Sequence, residues 1–157
     1  MASQLSQAAL LTAYNAKQIA RDLYPAELED NNLIDAVRQL VDLKGEQHSD
    51  YIKLCIQDDF FVRGKEKAFQ LFRIIQESLN NAIKHSEATQ IKIGLYMDHG
   101  MVIVEVADNG KGFDSKAIGF NEGMGLKILK YRANLIGARL RIQSSEEGTL
   151  VSCRVCR

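Results

Sequence analysis

Ile91, Ile93, Leu95 and Met97 fall on alternate positions, and a β-branched run follows from Met101 to Ala107. Only Asp98-His99-Gly100 separates the two stretches, which predicts a β-hairpin. Strands joined this tightly lie antiparallel, because a parallel pair needs a crossover of roughly a dozen residues or more. A doubly wound nucleotide fold, in which single strands alternate with helices, is thereby excluded.

The remaining segments are arranged around that hairpin. Tyr51 to Gln57 alternates like a half-buried strand, and Lys65 to His85 reads as a long helix with Ala68, Leu71, Phe72, Ile75, Leu79 and Ala82 on one face. Residues 108–125 are irregular and rich in glycine, Leu126 to Ile136 predicts a helix closed by Gly137, and Leu140/Ile142 with Val151/Cys153/Val155 predict a last hairpin around Glu146-Glu147-Gly148-Thr149. An earlier helix is expected from about Asn32 to Lys44, capped by Asp30 or Asn31 and stopped by Gly45. From residue 51 the order is β-α-β-β-loop-α-β-β, which predicts an α+β, two-layer sandwich with helices on one face of an antiparallel-rich sheet.

Upstream, residues 4–23 carry a seven-residue recurrence: Leu5, Thr12 and Ile19, with Ala9, Ala16 and Leu23. Either an amphipathic helix lying on its own domain or a bundle helix that needs a partner fits the pattern. Pro25 ends it.

Lys+Arg and Asp+Glu both number 20, so the formal charge is zero and there is no electrostatic case for nucleic acid or an anionic membrane as the main partner. No apolar run approaches the roughly 18 residues that span a bilayer, and no signal peptide opens the chain, so a cytoplasmic protein, or the cytoplasmic part of a larger one, is expected. Cys55, Cys153 and Cys156 cannot all pair. Cys153 and Cys156 sit three apart in a strand and face opposite sides, so they make a poor zinc clasp.

Three clusters carry chemistry. Asp108-Asn-Gly-Lys-Gly-Phe-Asp114 directly follows a buried strand. Gly110 and Gly112 permit close approach of a ring or phosphate, and Asp108 can accept a hydrogen bond from an exocyclic amine such as adenine's. By itself this pattern also fits an ordinary Asn-Gly turn. Gly123-Met-Gly125-Leu opens a helix, where free N–H groups suit an anion, although neither a P-loop nor a dinucleotide fingerprint is present. On the long helix, Glu77, Asn80, Asn81, Lys84 and His85 lie on adjacent faces. Asn81 offers an amide oxygen to a hard cation such as Mg²⁺, while Lys84 and His85 can neutralise phosphate charge. A merely solvated polar face fits the same residues.

Taken together, their order and spacing resemble the N, G1 and G2 boxes of the ATP-binding superfamily that unites gyrase, heat-shock chaperones, mismatch-repair ATPases and histidine kinases. Phe72 to His85 is similar to the N box of bacterial sensor histidine kinases, especially the nitrate-sensor type. Val104 to Phe113 resembles the G1 box, and Gly123 to Leu126, continuing through Arg132-Ala133 and Leu135-Ile-Gly137 to Gly148-Thr149, resembles the G2 region and its tail. Ala20 to Leu28 and Leu33 to Leu40 are similar to the segment that joins the family's dimerisation hairpin to its ATP domain.

The resemblance implies a partial second hairpin helix at 1–24, an ATP-binding catalytic domain at 25–157, and transfer of the ATP γ-phosphoryl group to a histidine and then to a response regulator. It implies that Asn81 coordinates Mg²⁺, that Lys84 and His85 meet phosphates, and that Asp108 reads adenine. Gly110 and Gly112 then shape the floor, Gly123 and Gly125 cradle phosphates, Thr149 supports the adenine contact through water, and Glu77 orients or deprotonates the acceptor imidazole. Residues 114–122 correspond to a short lid, and the full-length protein is expected to be a homodimer. In such kinases the acceptor histidine is usually followed by an acidic residue. Here His48, His85 and His99 precede Ser49, Ser86 and Gly100, so the acceptor is expected to be missing from these residues. Two other readings are an anti-sigma-factor-type Ser/Thr kinase and a non-catalytic, ATP-gated interaction module.

Overall fold

The computed structural model describes residues 25–30, 32–45, 51–113 and 124–157. The predicted helix over residues 4–23, His48, Gly123 and the stretch 114–122 lie outside them. After a short 3-10 turn at Ala26–Leu28, the elements are α1 (Leu33–Gly45), β1 (Ile52–Ile56), α2 (Lys65–His85), β2 (Ile91–Asp98), β3 (Met101–Asp108), α3 (Met124–Leu135), β4 (Arg139–Ser145) and β5 (Gly148–Cys156). The five strands form one sheet in the order β1-β2-β3-β5-β4, parallel only between β1 and β2. The α+β two-layer sandwich expected from the strand order is the observed architecture.

Alternation decides which side of the sheet carries the core. Ile91, Ile93 and Leu95 of β2, Val102, Val104 and Val106 of β3, and Val151, Cys153 and Val155 of β5 are buried beneath the helices. Leu71, Ile75, Leu79 and Ala82 of α2 meet them, with Val37 of α1 and Leu129 and Ala133 of α3 in the same core. Full burial of each Val, Leu or Ile among them contributes about 1.5–3 kcal/mol, so α2 is held mainly by its apolar face and not by helix propensity.

The ends of the elements refine the sequence expectations. The cap of α1 is Asn32, not Asp30 or Asn31: its Oδ1 accepts the Asp35 N–H at 3.1 Å. The physical reason is reach, since a capping oxygen serves the amides two or three residues on, and the first helical residue is Leu33. His99 and Gly100 have φ of 46° and 77°, the paired positive values of a type I′ hairpin turn. The last hairpin turns on Glu146-Glu147 alone, and Gly148 and Thr149 already belong to β5. Gly148 lies against the Asp108 carbonyl with φ 129°, where a side chain has no room, and the ladder therefore continues through it. Helix α3 begins at Met124, two residues earlier than expected, and ends in a Schellman motif. There Ala138 N–H donates to Ala133 O at 2.9 Å and Gly137 N–H to Asn134 O at 3.1 Å, with Gly137 at φ 63°.

Candidate functional site

The site is built from the last turns of α2, the first turn of α3 and the ends of β3, β4 and β5. At the sheet end, register brings together residues far apart in sequence. Asp108 pairs with Thr149 between β3 and β5, and Thr149 pairs with Ser144 between β5 and β4. Asp108 and Thr149 continue the alternation of Val106 and Val151, so both lie on the helix-facing side, half-buried. Asp108 Oδ1 accepts the Gly110 N–H at 2.9 Å, which holds the carboxylate in place. Ser144 Oγ accepts the Phe113 N–H at 2.8 Å and lies 2.8 Å from Thr149 Oγ1.

The loop after β3 is bound to its surroundings through its backbone. A Cβ on Gly110 would overlap the Ser86 carbonyl at the end of α2, and one on Gly112 (φ 59°) would overlap the Ser145 carbonyl. Lys111 N–H donates to Ser86 O at 2.8 Å, and Lys111 Nζ pairs with Glu87 Oε1 at 2.5 Å, lowering the Glu87 carboxyl from its ordinary value chiefly through that hydrogen bond. Asn109, to which the sequence motif assigns no site role, carries much of this attachment. Its Oδ1 accepts the Thr89 and Gln90 amides, each at 2.9 Å, and its Nδ2 donates to Thr89 Oγ1 at 2.9 Å. Ser86 is a second such residue: buried, its hydroxyl donates to Ala82 O at 2.7 Å and accepts the Ala88 N–H at 3.1 Å, which closes α2 beneath the loop. Both act through partners about 20 residues away or through a helix end, which no local pattern displays.

The helix end of the site is different. A Cβ built on Gly125 would lie 2.7 Å from Glu77 Oε1 and 3.2 Å from Asn81 Nδ2, so the first turn of α3 rests directly on these two side chains. Lys84 and His85 stand exposed in the last turn of α2, where positive charge complements the helix dipole. Lower on the same helix pair, Arg132 Nη1 donates to Gln70 Oε1 at 2.9 Å, and burial together with the like charge of Arg73 holds its guanidinium below the ordinary value. Ser78, next to Glu77, has a buried hydroxyl without a hydrogen-bond partner among the described residues.

The structure thus brings Glu77, Asn81 and Gly125 together, and separately Asp108, Gly110, Gly112 and Thr149; Gly123 lies outside the described residues. Among those residues no group of three or more His, Cys, Asp or Glu can hold a metal, and no helix is long and apolar enough to cross a membrane. Cys153 is buried and Cys156 exposed, as expected of strand residues three apart.

Known proteins resemble this chain in sequence and in fold. Among curated proteins the chain is 34% identical over 131 residues to "Sensor histidine kinase ComP" of Bacillus subtilis (strain 168), a match covering 83% of this chain and 17% of that protein. It is 34% identical to "Sensor protein VraS" of Staphylococcus epidermidis over 136 residues, covering 84% of this chain and 37% of that one. The chain therefore spans well under half the length of these relatives. Among solved structures, the histidine kinase domain of the blue-light activated histidine kinase from Erythrobacter litoralis EL346 shares the fold with a TM-score of 0.64 at 23% identity, covering 76% of this chain and 62% of that chain. The catalytic domain of histidine kinase ThkA does so with a TM-score of 0.61 at 20% identity, covering 78% of this chain and 91% of that one. Residues 66–156, from the start of α2 to the end of β5, match the family described as "Histidine kinase-, DNA gyrase B-, and HSP90-like ATPase", and the chain belongs to that family.

Proposed function

We propose that this chain is the ATP-binding catalytic domain of a two-component sensor histidine kinase. The observation that carries the proposal is the convergence of Glu77 and Asn81 on Gly125, beside a strand-end row in which Asp108 faces Thr149. One part suits a charged phosphate tail and the other a flat, hydrogen-bonding base. The relatives' names support the same activity. We assign it to the nitrate-sensor type on its N box alone.

In this scheme Asp108 accepts the adenine amine through the oxygen that Gly110 does not occupy. Gly110 and Gly112, packed against carbonyls, leave the floor free of side chains, and Thr149 contributes through water. Lys84 and His85 neutralise phosphate charge, and the first turn of α3, with Gly123 and Gly125, supplies N–H groups to the phosphates. Mg²⁺, when bound, offsets charge on the phosphate oxygens; this chain offers it the side-chain oxygen of Asn81. One or two protein oxygens suffice for this ion, which fits a site without a cage of acidic ligands.

Glu77 is the proton-handling group. One imidazole nitrogen of the acceptor histidine attacks the γ-phosphorus with its lone pair, and the bond from phosphorus to the bridging oxygen breaks, releasing ADP with the electron pair. The proton on the other ring nitrogen passes to the Glu77 carboxylate, so the phosphohistidine ring leaves neutral. Transfer of this kind is mostly positioning and charge stabilisation. The phosphoryl group then goes to an aspartate of a response regulator. Residues 1–24 are assigned to part of the second dimerisation helix, and the full-length protein to a homodimer.

The test is to supply γ-labelled ATP, Mg²⁺ and a separate histidine-bearing dimerisation hairpin. Acid-labile label is expected on the hairpin and none on this chain. Label on this chain that is lost when His48 or His99 is changed overturns the acceptor assignment. Label on serine or threonine of another protein favours the anti-sigma-type kinase, and ATP binding without transfer to the hairpin favours the ATP-gated module.

A further inference from the structure

Ser144, Thr149 and Asp108 form one row across β4, β5 and β3. The loop after β3 is tied to both ends of that row, by Gly110 N–H on Asp108 Oδ1 at 2.9 Å and by Phe113 N–H on Ser144 Oγ at 2.8 Å. Between the ends, Ser144 Oγ and Thr149 Oγ1 share one hydrogen bond of 2.8 Å. A hydroxyl has one proton and two lone pairs. With one Ser144 lone pair occupied by Phe113, its proton can be given to Thr149, and the Thr149 proton is then free to point toward the base. Alanine at 144 would leave the Phe113 amide without this acceptor and let the Thr149 hydroxyl turn.

We infer that Ser144 is a positioning residue for nucleotide recognition, acting through Thr149: with one lone pair held by the Phe113 amide, it orients the Thr149 hydroxyl. The role rests on the adenine reading proposed above. It differs from the part given to Thr149, because Ser144 itself touches no ligand in this scheme.

The experiment is a double-mutant cycle read by calorimetric titration with ADP. Ser144→Ala is expected to weaken ADP binding about threefold to tenfold, the usual size of one lost neutral hydrogen bond. Ser144→Thr, which keeps the hydroxyl, should stay within about twofold of the parent. In a Thr149→Ala background, Ser144→Ala should cost less than about twofold, since residues acting through one another are non-additive. A merely structural serine would lower the melting temperature and weaken binding equally in both backgrounds, and that result overturns the proposal, as does unchanged ADP affinity in Ser144→Ala. Should Ser144→Ala fail to fold, Ser144→Cys, similar in size but a weak hydrogen-bonding group, takes its place in the same cycle. Asp108→Asn is titrated in parallel. Unchanged binding there removes the adenine reading itself, whereas loss there with no effect at Ser144 removes only the present inference.

Discussion

The two ends of the site are made in opposite ways. At the sheet end, Asp108, Thr149 and Ser144 sit in strand register, and backbone amides or hydroxyls already hold their polar atoms. At the helix end, Glu77 and Asn81 of α2 meet α3 through the missing side chain of Gly125, and Lys84 and His85 stand exposed one turn further on. A flat neutral base is best recognised by groups that need not reorganise, so prior hydrogen bonding there costs little. A phosphate tail brings its own charge, and the exposed Lys84 and His85 side chains and the Asn81 amide oxygen can turn to meet it. On the proposed reading, affinity for the base belongs to the sheet and transfer to the helices, and the contrast makes the two separable by mutation.

The sharpest way to break this contrast is at Glu77. Glu77→Gln keeps the shape beside Gly125 but removes the proton acceptor, and it should slow transfer to a supplied hairpin by about 10²–10⁴-fold. ADP affinity should hardly move. An equal loss in binding would show that Glu77 serves the ligand and not the reaction.

Asp108→Asn tests the other end. An amide can present a donor where the adenine amine needs an acceptor, and a mismatch of that kind costs about 1–3 kcal/mol, or roughly 5- to 150-fold in ATP affinity. Calorimetry on a folded variant that finds parental affinity removes Asp108 from the base-reading role.

Asn81→Ala should separate metal-dependent from metal-independent binding. We expect Mg-ATP use to fall at least about tenfold, with a smaller loss for nucleotide in chelator. Equal behaviour of both ligands would make Asn81 a surface residue and move the ion elsewhere.

The smallest expected effect concerns the core under both ends. Burial pushes the Cys153 thiol up to about 12 from 9.0. A folded value above the unfolded one means the folded state holds the proton longer, so this contribution to stability is complete below pH 9 and is lost as pH rises from there toward 12. Denaturant midpoints measured between pH 8 and pH 10 should fall less in a folded Cys153→Val variant than in the parent. At neutral pH a thiol reagent should label exposed Cys156 and leave Cys153 until unfolding.

Much of the fold was legible because it is written locally. The apolar face of Lys65–His85 recurs at helical spacing, and the Asp98–Met101 hairpin announces itself by alternation broken at a turn. Within the candidate site, the residue types of Asp108, Gly110, Gly112, Asn81 and Glu77 were readable for the same reason: each belongs to a short motif. Asn109, Ser86 and Ser144 were not, since what distinguishes them is a partner elsewhere in the chain. The early start of α3 was missed because the glycine at 125 reads as a loop signal, while in the fold it is the residue that lets α3 rest on Glu77 and Asn81.

The sequence by itself determined the order of strands and helices, the sandwich class, and the candidates for base, phosphate and metal, because periodicity and short motifs depend only on neighbours three or four residues apart. Tertiary structure alone decided that β5 inserts between β3 and β4, so that Thr149 lies opposite both Asp108 and Ser144. It alone decided that Gly125 meets Glu77. Register and helix packing are set by how whole apolar faces come together, and that sum over distant residues cannot be read from any single stretch of chain.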